Sequence, residues 1–221
     1  MSSTALPPPR QRFFLLRPRV LDRIEQVVIV AVWSMFVWRM VHAPTAFTLD
    51  ASSLTTWALT LSETSVMLFT LIRRPTGAIS LRLGDWMLAT TATLAPLMID
   101  FNVEPYQRFA WLGLFLLLFG NCWQAWAKLI LRRSFGITPA NRGIKVSGAY
   151  RFVRHPMYAG YLAVHLGYLA VMFSPYNLLV YGIGWTEQIL RLLAEERLLS
   201  EDPAYRAYMQ QVRWRLIPGL F

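Results

Sequence analysis

Apolar residues run through this chain in long blocks rather than alternating with polar ones, and six blocks approach the length of a membrane crossing. A bilayer's hydrocarbon core is about 30 Å thick, so a spanning helix needs roughly 20 mainly apolar residues. The blocks predict helices over Ile24–Val41, Leu54–Ile72, Gly84–Ile99, Phe109–Leu131, Pro156–Phe173 and Asn177–Ile189. Between the last two, Ser174-Pro175-Tyr176-Asn177 leaves room only for a tight turn, so they read as a C-terminal helical hairpin. The expected fold class is all-α: a polytopic membrane helix bundle of about six transmembrane helices.

The polar stretches between the blocks give the orientation. Of the 22 Lys and Arg, all but Arg39 and Arg108 lie before the first block, between the second and third, from the end of the fourth (Lys128) to the fifth, or after the sixth. The positive-inside rule then makes the chain a multi-pass integral membrane protein with both termini cytoplasmic. Net charge is +10, which in a soluble protein would point to nucleic acid. Here the basic residues flank apolar spans, where they meet membrane lipid headgroups, and no nucleic-acid motif is present. Nucleic acid is therefore not an expected partner. At 55% hydrophobic and 15% charged residues, the chain is neither disordered nor collagen-like. Its lone Cys122 excludes an internal disulfide. The start, Met1 to Val20 with Pro7-Pro8-Pro9, reads as no cleavable signal.

Two regions differ in character. Residues 1–127 read as N-terminal transmembrane helices with short loops, and 128–221 as a C-terminal core with cytoplasmic loops and most of the polar chemistry. Within the latter, Pro156 suits the first position of a helix. That places His155 at a helix N-terminus whose free N–H groups favour anions. Gly148 permits a turn, and Tyr150 and Tyr158 offer aromatic faces with hydroxyls. An interfacial belt of Tyr, His and Arg accounts for the same residues equally well.

Further on, Glu187, Arg191 and Glu195 share one helical face at spacings of four, with Glu196 beside them. A solvated ion-pair ladder is the plain alternative. Against it, Glu187 lies in an apolar stretch, where an ionisable group is costly. A helix from Asn177 to Ser200 would also be about 36 Å long and project from the bilayer. Its end could then stand over the mouth beside His155. Glu63, in the middle of the second block, is the other intramembrane acid; it is expected to face the bundle interior and bond a neighbour. His42 and His165 read as interfacial or packed. No set of residues has metal-ligand spacing, so no metal is expected. No GxSxG, P-loop or GxGxxG anchors a hydrolase, nucleotidase or Rossmann reading.

Taken in order, RGIKVSGAYRFVRHPMYAG at 142–160, RLLAEE at 191–196, Tyr205, Tyr208 and the ending Arg215-Leu216-Ile217-Pro218-Gly219-Leu220-Phe221 form one set. This set resembles the isoprenylcysteine carboxyl methyltransferase family and its relatives among integral-membrane phospholipid methyltransferases, over about residues 128–221. The resemblance implies an S-adenosylmethionine-dependent methyltransferase with a cytoplasmic cofactor site at the last helical hairpin. By position, Arg142, Gly143, Ile144, Lys145, Tyr150, His155, Pro156, Met157 and Tyr158 match cofactor-binding segments. Glu195, with Glu196 beside it, matches the cofactor-contacting glutamate, and Arg191 the arginine that takes the substrate. Where eukaryotic members carry His-Thr and then aliphatics, this chain carries Arg142-Gly143-Ile144-Lys145.

The implied acceptor is a lipid-linked, isoprenylcysteine-like carboxylate, so the implied partner is a lipid or prenylated small molecule. A carboxylate is already ionised at pH 7, so transfer calls for orientation and exclusion of water rather than a strong base. Other acceptors fit the same cofactor: a phospholipid amine, another isoprenoid lipid or a small thiol. A membrane reductase of similar build is a further alternative, although a dinucleotide site would call for more Gly and Lys in a phosphate loop.

Overall fold

The computed structural model describes residues 18–44, 46–76 and 79–221; the proline-rich start, with its reading as no cleavable signal, lies outside them. Seven helices follow in order: α1 (Pro18–Val41), α2 (Ala51–Ile72), α3 (Leu83–Leu94), α4 (Ala110–Leu131), α5 (Pro156–Val171), α6 (Pro175–Leu199) and α7 (Pro203–Gln211). The described residues contain no strand, only an isolated antiparallel bridge between Ile79 and Ala140. Local chemistry sets the helix starts. Proline opens α5, α6 and α7, where a missing N–H costs nothing. Ser174 caps α6 by accepting from Asn177 N at 3.0 Å, and Asp202 caps α7 by accepting from Ala204 N at 2.9 Å.

Two segments, Val20–Val41 and Gln107–Ser134, are long and apolar enough to cross a membrane. The third block falls short of its expected length. Pro96 cannot continue a helix, so α3 stops after 12 residues and a 3-10 turn over Ala95–Met98 follows. With 16 residues, α5 is about 24 Å long and is also shorter than a full hydrocarbon core.

The expected hairpin is only partly realised. Although three residues join α5 to α6, α5 lies along α4 while α6 lies against α3. The α4–α5 seam is set by glycines spaced seven apart. A Cβ on Gly120 would stand 2.6 Å from Gly160 O, and one on Gly167 would stand 2.7 Å from Gly113 O. Backbone meets backbone there, which is the close approach small residues permit between membrane helices. The α2–α4 seam is polar: Asn121 Nδ2 donates to Ala58 O at 3.1 Å and Gln124 Nε2 to Ser62 Oγ at 2.6 Å.

Each end of the bundle is tied together separately. At one end Tyr106 N donates to Val171 O at 2.7 Å, Asn177 Oδ1 accepts from Asp100 N at 2.9 Å, and Arg39 Nη2 reaches Ile99 O at 2.8 Å. The opposite end is rich in arginine. There Arg73 is buried between Asp22 and Glu25, and Glu25 also accepts from the backbone of Ile137 and Thr138 at 3.0 and 3.2 Å. Arg142 Nη2 joins Asp22 at 3.1 Å, and Arg197 of α6 meets Asp85 of α3 at 2.7 Å. The segment between α4 and α5 is thereby fastened to α1 and α2.

Candidate functional site

At the arginine-rich end a cleft of about 620 Å³, partly open to its surroundings, lies between the α4–α5 segment, α6 and α7. Every lining residue falls between Leu131 and Tyr208. Local geometry explains how it forms. Gly148, at φ +58°, turns the chain into a short 3-10 helix (Gly148–Arg151) that carries Tyr150, and Tyr208 of α7 donates to Tyr150 O at 2.7 Å. Arg154 N and His155 N donate to Trp214 O at 2.8 Å and Arg215 O at 2.9 Å. The N–H groups of Arg154 and His155, just ahead of α5, are thus used by the chain's own C-terminal segment.

Of the residues expected at a cofactor site, Arg142, Gly143, Ile144, Lys145, Tyr150, His155, Met157, Tyr158 and Glu195 all line this cleft. Two do not: Pro156 is buried at the start of α5, and Glu196 is turned into the scaffold. Both Glu196 oxygens are taken up, Oε1 by Arg154 Nε at 2.7 Å and His155 Nε2 at 3.1 Å, Oε2 by Arg215 Nε at 2.9 Å. Burial opposes its ionisation, yet the bonds from His155, Arg154 and Arg215 hold its carboxyl down to about 2. Glu196 therefore clamps the N-terminus of α5 to the C-terminal segment.

Glu195 is in a different situation. Its only hydrogen bond from a described residue is from Tyr158 Oη at 3.2 Å, and no described cation lies within ion-pair distance. Tyr205 Oη, also in the cleft, is buried without a hydrogen-bond partner among the described residues. Burial pushes the Tyr150, Tyr205 and Tyr208 hydroxyls far above their ordinary value, so they remain protonated donors. Of the other cleft residues, Arg154, Tyr205 and Tyr208 stand in the motif set without an assigned role at the site, and Phe135 is not singled out by the sequence at all. The i,i+3 spacing of the two tyrosines on α7 was a usable signal. Phe135 offered none.

A second cavity, of about 680 Å³ including open space, lies where α5 and α6 diverge and takes its walls from α1, α2, α3, α5 and α6. Arg191 lines this cavity and not the cleft. The ion-pair ladder, the alternative reading of the four-residue spacing on α6, does not form. Neither Glu187 nor Glu195 pairs with Arg191, whose only described hydrogen bond is to Gln188 Oε1 at 3.4 Å; its buried Nε has no described partner. The guanidinium instead stands over the Tyr158 ring, 5.6 Å from its centre. Phe135 lines both spaces, and Tyr158, a cleft residue, carries the cavity's Arg191 over its ring, so these two side chains form a common wall. Arg191 and Glu195, one helical turn apart on α6, serve opposite sides of it.

The pairing of an open carboxylate cleft with a guanidinium in an adjoining membrane-side cavity belongs with the motif set at 142–160 and 191–196. Residues 111–202 match the isoprenylcysteine carboxyl methyltransferase (ICMT) family. That match covers less than half of the chain and supports a membrane methyltransferase of that family. It spans α4, α5 and α6 and therefore holds the common wall and most of the cleft. No curated protein matches the chain. The cleft residues Tyr205 and Tyr208 and the Arg215 of the Glu196 clamp lie just beyond the ICMT stretch, and Glu63 lies well before it.

Proposed function

We propose that the chain is an S-adenosylmethionine-dependent integral-membrane methyltransferase that methylates a lipid-linked, isoprenylcysteine-like carboxylate. The observation carrying this reading is the common wall, with Glu195 on the cleft side and Arg191 on the cavity side.

The cleft residues fit S-adenosylmethionine. A cationic cofactor with hydroxyls and an amino group calls for an unpaired carboxylate, which Glu195 offers, and for unsatisfied hydroxyl donors, which Tyr205 offers. Lys145 and Arg142 stand in the same cleft for its carboxylate. When bound, the cofactor supplies an activated methyl group on a sulfonium. Tyr158, through its bond to Glu195, fixes that carboxylate's position. Arg191 has donors to spare and can grip an acceptor carboxylate in bidentate fashion, a geometry that favours an anion over a phospholipid amine. The apolar wall of the second cavity takes the lipid tail and excludes water. No general base is required, because the acceptor arrives ionised.

We further propose six membrane crossings with both termini cytoplasmic. In support, the hydrogen bonds and ion pairs at the bundle ends collect the loops after α1, α3 and α5 at one end and the arginine-rich segments at the other, as six alternating helices require. Residues 1–127 then supply one side of the lipid cavity through Ile29, Glu63 and Ala92, and residues 128–221 the cleft. The test is titration of purified protein with S-adenosylmethionine, followed by labelled methyl transfer to N-acetyl-S-farnesylcysteine. Saturable binding with base-labile incorporation supports the reading. Binding with incorporation only into phospholipid or thiol acceptors replaces the proposed acceptor.

A further inference from the structure

The cavity beside Arg191 is not the plain hydrocarbon sleeve that an isoprenoid chain needs. Glu63 of α2 lines it, half-buried, and no described residue gives its carboxylate a hydrogen bond or an ion pair. The expectation that Glu63 bonds a neighbour is thereby corrected. Lys128, the cation that acts on it electrostatically, is engaged elsewhere. Its fully buried ammonium donates to Ser65 Oγ and Gln124 Oε1 at 2.5 Å each and lies 4.9 Å from the centre of the Tyr161 ring.

His165 of α5 lines the same cavity. Its Nδ1 accepts from Trp185 Nε1 at 3.0 Å. An indole N–H can only donate, so this nitrogen is unprotonated and Nε2 carries the proton of a neutral ring. Among the groups lining the cavity without a partner from a described residue are an acceptor, Glu63, and the donors His165 Nε2 and Tyr181 Oη. Glu63 forms no ion pair with Arg191, which lines the same cavity. An ionisable side chain among membrane helices is expensive without a partner, and a bare alkyl chain supplies none.

We propose that the acceptor is an amphiphile whose tail carries a hydroxyl, donating to Glu63 and accepting from His165 Nε2, while its anionic head is held by Arg191. This rests on the reading of the cavity as the acceptor's. Because Glu63 lies outside residues 111–202, the preference would be this chain's own addition to the domain.

The test uses the full-length protein in lipid nanodiscs and two series of probes of eight to fourteen carbons: plain fatty acids and their ω-hydroxy counterparts. Binding is read by calorimetry and corrected for partition into the nanodisc. At one intermediate chain length the hydroxy acid should bind about tenfold more tightly than its plain partner, with the preference falling away on either side. Glu63→Leu should reverse that preference, while Glu63→Gln, which keeps an acceptor oxygen, should retain part of it. S-adenosylmethionine affinity measured on each variant reports folding. Should Glu63→Leu fail that control, the wild-type length series and Glu63→Gln decide. Equal or tighter binding of the plain acids at every length overturns the inference, as does a Glu63→Leu variant that binds cofactor and keeps the wild-type preference. A Glu63-dependent hydroxyl preference without carboxyl methylation leaves this inference standing and removes the proposed function. Methylation without the preference does the reverse.

Discussion

Adjacent glutamates on α6 take opposite roles. Glu195 faces the cleft with one tyrosine for company, while Glu196 is enclosed by Arg154, His155 and Arg215. Removing the Glu196 charge leaves a buried guanidinium uncompensated, a loss of about 3 kcal/mol. Glu196→Gln should accordingly lower the melting temperature in detergent well below that of Glu195→Gln, which removes no ion pair. The pH dependence follows from the direction of the shift. The Glu196 carboxyl titrates in the folded state near 2, below its usual 4.5, so its contribution is complete above 4.5 and is lost as pH falls toward 2. Thermal scans over that range should show an acid-induced drop in wild type that Glu196→Gln lacks. Sequence spacing put Glu195 and Glu196 side by side but could not say which one faced the cleft. That choice depends on the C-terminal segment returning to residues 154–155, a long-range contact with no local signal. The same limit hid the partner of Arg191, which stacks on Tyr158 from another helix rather than pairing four residues along its own.

At the scale of elements, Gly113, Gly120, Gly160 and Gly167 hold α4 and α5 closer together than side chains would allow. Gly120→Leu must displace Gly160 O and Val164, and should destabilise the protein by about 1–3 kcal/mol. Gly182→Leu, at a position whose added Cβ meets nothing within 4 Å, serves as the matched control. A detergent melting series that ranked the two alike would remove the seam from the account. The apolar blocks revealed α1, α2 and α4, because a long helix needs only an uninterrupted apolar run. For α6 the block ended at Ile189, and its reach to Leu199 followed from the four-residue spacing of Glu187, Arg191 and Glu195. The blocks overstated α3, where Pro96 lies inside an otherwise apolar run. They also suggested a simple hairpin from the short turn between α5 and α6, whereas helix partners are chosen by side-chain shape: glycines draw α5 to α4, and Arg197 with Asp85 draws α6 to α3.

Across the whole molecule, the divergence of α5 and α6 produces two chambers on either side of Tyr158 and Phe135, one polar at the arginine-rich end and one mainly apolar within the bundle. If that end is cytoplasmic, reporter fusions at Thr76 and Asn141 read as internal and fusions at Asp50 and Phe101 as external; an external C-terminal fusion contradicts the topology. Which chamber each residue serves was not readable from spacing, since Arg191 and Glu195 share one helical face and differ only in what packs between them. The most direct test of the division is paired measurement on Arg191→Lys and Glu195→Gln, recording S-adenosylmethionine affinity and acceptor kcat/KM for each. Lysine keeps the charge at 191 but loses the planar fork. Arg191→Lys should hold cofactor affinity within about twofold while its kcat/KM for the carboxylate acceptor falls tenfold or more. Glu195→Gln should weaken cofactor binding about tenfold, roughly the 1.4 kcal/mol of a lost charged hydrogen bond. A loss of cofactor affinity in Arg191→Lys as large as that in Glu195→Gln would place both side chains on the cofactor and contradict the two-chamber account.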